Sequence, residues 1–230
     1  MILVKLLLKM AGKDEFQLDK RIDTKYILHL CWKYGLMMLR GKIVSLGYAG
    51  ISNGISVGSK VKLYNKKNII IESKSKIHDC VKIDALGTEG VVIGKGVVIG
   101  HDTVIECTGS LQHIGKGISI GDRTTFGNSC FFGAAGGINI GEDVVAGQFV
   151  RFHSENHNYS EPNTLIKYQG VTHKGIKVGN NCWIGAGAVF LDGAELADGC
   201  VVAANAVVTK KFPANSVIGG VPAKIIHERC

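Results

Sequence analysis

VGNNCWIGAGAVFLDGAELADGCVVAANAVVT, residues 178–209, is the stretch that decides the fold. A large apolar residue returns there at every sixth position: Val178, Ile184, Phe190, Leu196, Val202 and Val208. A small residue stands four places after each of the first five: Cys182, Ala188, Ala194, Cys200 and Ala206. A helix would repeat its apolar residues about every 3.6 positions and a half-buried strand every two. A period of six predicts a β-solenoid whose short strands each bury one large residue and then turn a corner.

The same period extends towards the N-terminus with small shifts. The predicted inward residues there are Val57, Leu63, Ile69, Ile71, Ile77, Ile83, Ile93, Ile99, Ile105, Leu111, Ile114, Ile120, Phe126, Phe132, Ile138, Ile140, Ala146 and Phe152. One interruption, residues 153–175, is polar and too long for a corner, so we expect it to leave the rod as a loop. Loops held by a rigid scaffold often carry binding and catalytic residues.

Residues 1–42 lack the period and contain few glycines. Asp23 or Thr24 can cap a helix that stops at Gly41. Its apolar face is predicted to hold Ile27, Leu30, Cys31, Tyr34, Met37 and Met38. We favour a helix that caps the open end of the solenoid, because terminal coils need covering. The alternative is a helix on a membrane surface, since Lys25, Lys33 and Arg40 flank the apolar face.

The domain organisation follows from these patterns. We expect an N-terminal helical cap or arm at 1–42, a repeat region at 43–210 with the loop insertion 153–175, and a C-terminal tail at 211–230 that leaves the repeat near Thr209. No run of eighteen apolar residues occurs, and the N-terminus lacks the pattern of a signal peptide.

Composition narrows the class of protein. The net charge of +8 favours anionic ligands, yet no cluster of Lys and Arg interleaved with aromatic residues predicts nucleic-acid binding. The seven cysteines form no Cys-x-x-Cys pair, and Cys130, Cys182 and Cys200 occupy small positions of the repeat. This usage is typical of reduced core cysteines in a cytoplasmic protein, with neither disulfides nor a zinc site.

Three motifs, HSENHNYS at 153–160, CWIGAGA at 182–188 and ANAVVTKKFPANSVIGGVPAKII at 204–226, resemble the hexapeptide-repeat acyltransferases. The likeness covers about residues 43–229 and is closest to bacterial sugar O-acetyltransferases of capsule and lipopolysaccharide synthesis, with galactoside and maltose acetyltransferases more distant. It implies an all-β solenoid, a left-handed parallel β-helix, with the hand taken from the family because parallel crossovers are usually right-handed. It also implies a homotrimer that holds acetyl-CoA between adjacent rods and uses no metal.

Acetyl transfer to an alcohol needs a base for the hydroxyl proton, and histidine suits this task because its pKa lies near neutrality. His157 matches the family's catalytic position, with His153 as a rival and a possible acceptor contact. Glu155 is a candidate for fixing the His157 tautomer, as is a backbone carbonyl. Asn128 matches a family residue that contacts the acceptor.

The resemblance also implies the residues that bind coenzyme A. Trp183 ends a hexad and should point outward, while Ala186 and Ala204 match backbone contacts to the pantetheine arm. Thr209 and Lys210 match contacts near the adenosine phosphates. Lys224 lies where the family places a further phosphate contact, although His227 stands where an arginine is usual.

The sequence therefore predicts an acetyl-CoA-dependent O-acetyltransferase that acts by direct transfer on a sugar or oligosaccharide of cell-surface polysaccharide synthesis. We expect it in the cytoplasm, at the inner face of the membrane if the N-terminal helix binds there. An N-acetyltransferase acting on a nucleotide-linked amino sugar and a non-catalytic binding solenoid are the alternatives. A serine acetyltransferase is less favoured because the N-terminal part is too short for that family's helical domain. A hexapeptide carbonic anhydrase would need metal-binding histidines that the rod lacks.

Overall fold

The computed structural model describes Asp19 and residues 21–229, and these form a helix followed by a three-faced parallel β-helix. The faces are numbered in the order in which the chain meets them. Face 1 holds Ser56–Val57, Lys76–Ile77, Val98–Ile99, Thr125–Phe126, Val145–Ala146, Trp183–Ile184, Val201–Val202, Ser216–Gly219 and Lys224–Glu228. Face 2 holds Lys62–Tyr64, Lys82–Asp84, Val104–Glu106, Phe131–Gly133, Arg151–His153, Val189–Leu191 and Val207–Val208. Face 3 holds Ile69–Ile71, Gly87–Ile93, Gly115–Ile120, Ile138–Ile140, Ile176–Val178, Glu195–Leu196 and Lys211–Phe212.

Within each face the strands of successive coils pair in parallel, except for Lys224–Glu228 at the end of face 1. Phe132, for example, lies in register between Ile105 and Phe152, which in turn faces Phe190. Strands of two or three residues have too little surface to be stable alone. Their stability therefore comes from the stack, in which each coil supplies hydrogen bonds to the next.

The six-residue period is confirmed as the pattern of the core. All six large residues between 178 and 208 are at most 3% exposed. A column of phenylalanine rings fills the middle of the rod, with centroid distances of 5.0 Å for Phe132 to Phe152 and 4.7 Å for Phe152 to Phe190. Cys130, Cys182 and Cys200 are buried as expected.

The prediction was wrong for two residues, which were expected to point inward and are exposed instead. Leu111 is 86% exposed and Ile114 is 56% exposed. Both lie between the strands Val104–Glu106 and Gly115–Ile120, where the chain leaves the rod in a short loop. The period alone does not distinguish an apolar loop residue from a core residue.

The N-terminal helix, α1, runs over Thr24–Gly47, six residues beyond the predicted stop at Gly41. The side chain of Asp23 accepts a hydrogen bond from the Lys25 backbone N–H, so Asp23 is the N-cap. The helix packs on the first strand of face 1, with Met37 and Gly41 buried. Tyr34 and Met38, predicted on the same apolar face, are exposed instead.

The C-terminal residues continue the coil past Thr209, which differs from the expected departure there. Lys211–Phe212 pairs in parallel with Glu195–Leu196, and Ser216–Gly219 pairs in parallel with Val201–Val202. Only then does the chain reverse, so that Lys224–Glu228 lies antiparallel to Ser216–Gly219. The division at residues 42 and 210 stays a prediction.

Gly41 holds α1 against the rod through close backbone contact. A Cβ atom there would collide with the carbonyl oxygen of Ile55, whereas one at Gly35 would meet no atom within 4 Å. An exposed helical Gly→Ala change normally stabilises by about 1 kcal/mol. We expect Gly35→Ala to raise the free energy of unfolding by about that amount, and Gly41→Ala to lower it by roughly 1–3 kcal/mol through overpacking.

Urea unfolding of the two variants measures the difference. Both variants replace glycine by alanine in the same helix, so the gain in intrinsic helix propensity is the same and Gly35→Ala is the matched control. Equal stabilisation by both substitutions would contradict the close packing of α1 on Ile55.

Candidate active site

The long loop leaves the rod at corner 2–3, the corner between faces 2 and 3. After the strand that ends at His153, the chain forms a two-stranded antiparallel hairpin in which Asn156 pairs with Thr172 and His157 with Val171. A short 3-10 turn, Ile166–Tyr168, lies between the two strands. His157 is exposed, and no hydrogen bond to its ring occurs among the described residues. Its imidazole is therefore open to an incoming ligand.

Glu155 and His173 join the two ends of this hairpin. The Oε2 atom of Glu155 lies 2.6 Å from the Nε2 atom of His173, and both side chains are about one-third exposed. The expected partner of Glu155 was His157. In the structure the Glu155 carboxylate is instead hydrogen-bonded to His173, at the base of the hairpin that carries His157.

Asp192 anchors the returning strand to the next coil. Its carboxylate is nearly buried and accepts hydrogen bonds of 2.8 Å from the backbone N–H groups of Lys174 and Gly175. It also accepts a longer bond of 3.4 Å from the Thr172 hydroxyl. Buried carboxylates are uncommon unless they are paired in this way. Sequence reasoning missed both Asp192 and His173, although an acidic residue inside the repeat next to the insertion was a usable signal.

His153 stands at the foot of the hairpin, on the outside of face 2. Its ring centroid is 5.3 Å from that of Phe131 on the coil below. Burial, and then the nearby charge of Arg151, lower the pKa of His153 below its ordinary value of 6.5. Both effects favour the neutral imidazole, the form that can accept a proton or a hydrogen bond.

A second group of predicted residues lies at corner 1–2, between faces 1 and 2. Asn128 is exposed there, and its Oδ1 atom accepts a hydrogen bond of 3.2 Å from the His101 backbone N–H. Ala186 and Ala204 occupy the same corner on two successive coils, because a Cβ atom on Gly185 would lie 2.5 Å from the Ala204 backbone nitrogen. This packing leaves room only for small residues along the corner.

Trp183 projects outward from face 1 beside this corner, as predicted, and is 60% exposed. It lies in register with Val145 on the coil below, which is 54% exposed. The two residues form an apolar surface next to Ala186.

Phe149 is a further residue of corner 1–2 that sequence reasoning missed. Its φ of 61° is left-handed, a conformation that large side chains rarely adopt. The other positive-φ residues of this corner include Asp102, Ser129 and Asn205, of which the Asn and Asp suit that conformation far better. The Phe149 side chain is nonetheless more than half exposed, and its backbone N–H donates to the carbonyl of Asn128. Strain kept at a surface aromatic residue marks this corner as a candidate site.

The remaining predicted residues divide between the corners. Thr209 and Lys210 follow the last strand of face 2 and so lie at corner 2–3. The Lys210 ammonium is 5.6 Å from the Phe212 ring centroid. Lys224 opens the antiparallel strand on face 1 and pairs with Gly219. In one chain, the predicted site residues thus occupy two different edges of the rod.

A shallow groove of about 560 Å³ runs along face 3 and the corner after it. Its lining includes Asn139, Lys177, Asn180, Glu195 and Asp198, and none of the predicted site residues.

Within residues 21–229, no group of three or more His, Cys, Asp or Glu is placed to hold a metal ion. No helix in that range is long and apolar enough to cross a bilayer.

Comparison with known proteins agrees with this architecture. The family model for the bacterial transferase hexapeptide, with six repeats, matches residues 175–210. A variant of AntD, an N-acyltransferase from Bacillus cereus solved with dTDP-4-amino-4,6-dideoxyglucose and coenzyme A, has a TM-score of 0.56 at 17% identity. That alignment covers 83% of this chain and 89% of AntD. The predicted all-β solenoid, a left-handed parallel β-helix with an N-terminal helix, is confirmed.

Relatives in sequence are acetyltransferases. A probable acetyltransferase of Mycobacterium tuberculosis is 29% identical over 60% of this chain and 52% of its own length. WbbJ of Escherichia coli, named as a lipopolysaccharide biosynthesis O-acetyl transferase, is 30% identical over 51% of this chain and 64% of its own length. The chain thus spans between half and two thirds of these relatives. The resemblance to the hexapeptide-repeat acyltransferases is confirmed, in sequence over part of the chain and in fold over most of it.

The strain at Phe149 is measurable. Because Asn tolerates the left-handed region, Phe149→Asn should raise the free energy of unfolding by up to about 1 kcal/mol. Lys74, at another corner, has a φ of 65° and is exposed, so Lys74→Asn is the matched control with the same expected gain. Chemical denaturation compares the two. A gain for Lys74→Asn with a loss for Phe149→Asn would show that packing of the ring outweighs the strain.

Proposed function

We propose that this protein transfers an acetyl group from acetyl-CoA to a hydroxyl group of a sugar or oligosaccharide, with His157 as the general base. The observation that carries the proposal is an exposed imidazole on a hairpin whose base is fixed by the Glu155–His173 hydrogen bond and by a buried carboxylate. The similarity to WbbJ supports oxygen as the atom that is acylated and cell-surface polysaccharide as the product class.

The chemistry requires one proton transfer on each side of a tetrahedral intermediate. The His157 imidazole takes the proton from the acceptor hydroxyl as its oxygen attacks the thioester carbonyl carbon. The C–S bond then breaks, and the thiolate of coenzyme A leaves and receives a proton from the imidazolium. A base in this role contributes typically about 10²–10⁴-fold to the rate. Holding both substrates together contributes more, up to about 7–11 kcal/mol of the barrier.

The buried cysteines support direct transfer rather than an acyl-enzyme. Burial raises the pKa of Cys107 to about 12 and the pKa values of Cys130 and Cys182 to about 11. Thiols with such pKa values are almost wholly protonated at pH 7, and the thiolate is the nucleophilic form. These three thiols are therefore poor nucleophiles, and we propose that the acceptor oxygen attacks the thioester directly.

Two residues are proposed to support His157 from the foot of the hairpin. Glu155 acts through His173: the hydrogen bond between them fixes the strand that bears His157 and so positions the base. His153, neutral and outward on face 2, is proposed to hydrogen-bond the acceptor.

The donor is proposed to bind along corner 1–2, where small residues let the pantetheine arm approach the backbone. Ala186 and Ala204 line this path, and Trp183 covers it from face 1. Thr209 and Lys210, from corner 2–3 of the neighbouring protomer, are proposed to contact the phosphates together with Lys224. Phe149 adds an apolar wall close to Asn128, which is proposed to contact the acceptor.

The positions of Asn128 and His157 support a homotrimer, because within one chain they lie at two different corners of the rod. Asn128 lies at corner 1–2, whereas the His157 hairpin leaves from corner 2–3 on the other side of face 2. Six residues of extended chain, from Asn128 to Ala134, reach on the order of 20 Å from one corner to the other. We infer that corner 1–2 of one protomer faces corner 2–3 of the next, and that closed three-fold packing forms three such clefts.

We propose that this activity lies in the cytoplasm. The described cysteines are free thiols, five of them at least partly buried, which suits a reducing compartment.

The reaction is tested by release of coenzyme A from acetyl-CoA in the presence of a panel of polysaccharide precursors. His157→Ala should lower kcat about 10²–10⁴-fold and leave the Kd for coenzyme A unchanged. His153→Ala is the comparison variant and should mainly raise KM for the acceptor. A loss of coenzyme A binding in His157→Ala would assign that residue a structural role. Turnover with amino sugars alone would favour an N-acyltransferase.

The shared cleft is tested by mixing two impaired variants. Asn128→Ala and His157→Ala should each be impaired, while co-expressed subunits form clefts that combine one intact corner with one intact hairpin. Random assembly should restore about a quarter of the wild-type activity, since each cleft needs two intact halves. Co-expression that restores nothing, in particles shown to be mixed, would place both residues in one chain's own site.

A further inference from the structure

A line of apolar side chains runs along the outer face of α1. It consists of Leu28, Trp32, Leu39, Ile43 and Leu46, here called the apolar stripe. Their spacing of four, seven, four and three residues keeps them on one side of a helix. Each is between 52% and 77% exposed. Over 24 residues the helix is about 36 Å long, so the stripe is an extended surface rather than a single contact.

The stripe faces outward because the opposite side of α1 is fixed to the rod. Met37 is fully buried, and Gly41 lies directly against the backbone of Ile55. The Lys33 ammonium is 3.5 Å from the Asp79 carboxylate on the second coil. The helix cannot turn the stripe inward without breaking these contacts. Contiguous exposed apolar surface of this kind marks an interaction site.

The charges of α1 indicate what covers the stripe. Between residues 24 and 47 the helix contains four cations, Lys25, Lys33, Arg40 and Lys42, and no Asp or Glu. By helical position, Lys25 and Arg40 lie to one side of the stripe and Lys42 to the other. An apolar face bordered by Lys and Arg, with a tryptophan in it, suits the boundary between acyl chains and headgroups. Long basic side chains can reach the headgroups while their stems cover apolar surface.

A second copy of the helix fits this surface less well. Pairing two stripes would bring the cations of one helix towards those of the other, with no acidic residue on either helix to offset them. Like charges placed opposite each other oppose association. The whole chain also carries a net charge of +8, which favours an anionic partner.

We propose that the apolar stripe of α1 docks the protein on a bilayer that contains anionic phospholipids. The five apolar side chains enter the interface and the flanking cations contact the phosphate headgroups. The helix lies in the plane of the surface and does not cross the membrane. The stripe lies on the side of α1 that faces away from the rod, opposite the contact of Lys33 with Asp79, so docking and turnover are measured independently. Docking would bring the site to acceptors carried on the membrane.

Co-sedimentation of the full chain with vesicles tests the proposal. Vesicles of phosphatidylcholine alone are compared with vesicles that contain roughly one third phosphatidylglycerol, because basic segments bind anionic surfaces. We expect binding to the second set, and weaker binding as salt is raised. Trp32→Ser/Leu39→Ser/Ile43→Ser should reduce the bound fraction at least about tenfold, since insertion of apolar surface drives interfacial binding.

The control variant is Leu111→Ser/Leu165→Ser/Ile166→Ser, which removes three comparably exposed apolar side chains from loops and should bind vesicles like the wild type. A charge variant, Lys25→Glu/Lys42→Glu, keeps the stripe and should lose the preference for phosphatidylglycerol. If the triple stripe variant misfolds, this charge variant still tests whether α1 binds anionic lipid. Acetyl-CoA turnover in free solution should be unchanged in the stripe and charge variants.

Two outcomes would overturn the proposal. Equal vesicle binding by the wild type and the stripe variant would place lipid contact elsewhere in the chain. A wild type that ignores vesicles, with a stripe variant whose molar mass by light scattering is smaller, would make the stripe a contact between copies of this chain.

Discussion

Every coil of this rod depends on hydrogen bonds to the coils on either side of it. Strands of two or three residues have few cross-strand contacts of their own, so the stack supplies them. This constraint explains the six-residue period, because each face must bury one large residue before the chain turns. It also explains the corners, where Asn181, Asn205 and Asn215 adopt left-handed φ values that most residues avoid.

The same constraint decides where function can be placed. Inward-facing side chains form the core, and the strand backbones are hydrogen-bonded to neighbouring coils. Catalytic and binding residues are therefore placed at the corners, on outward-facing positions and in insertions. The His157 hairpin is an insertion, yet Asp192 of the following coil holds its returning strand through two backbone N–H groups. Phe149 shows the opposite balance, since a corner there keeps an aromatic residue in an unfavourable conformation. The regular scaffold thus carries one insertion and one unusual corner residue, one at each corner proposed for the site.

Much of the fold was predictable from the sequence because the period is local. The inward residues from Val178 to Val208 and the outward Trp183 follow directly from it. The period failed at Leu111, where an apolar loop residue falls in register with the core by coincidence.

The length of α1 failed for a different reason: Gly41 is a packing contact with Ile55 rather than a stop signal. The contacts that hold the His157 hairpin in place were also not predictable from the sequence. The pairs Glu155–His173 and Asp192–Gly175 join residues about eighteen positions apart. The first is set by the pairing of the two hairpin strands and the second by the register between coils, and no short motif marks either.

The antiparallel strand Lys224–Glu228 has a consequence for assembly along the rod axis. A stack of identical parallel coils ends in unpaired backbone groups, and a second molecule could extend it end to end into a fibre. By reversing direction on face 1, the chain occupies that edge with its own residues. Faces 2 and 3 end in strands of only two residues, one of them bearing Lys211, which offer a poor template. An identical parallel coil would meet an antiparallel strand at this end of face 1, so the stack cannot continue there in the same pattern.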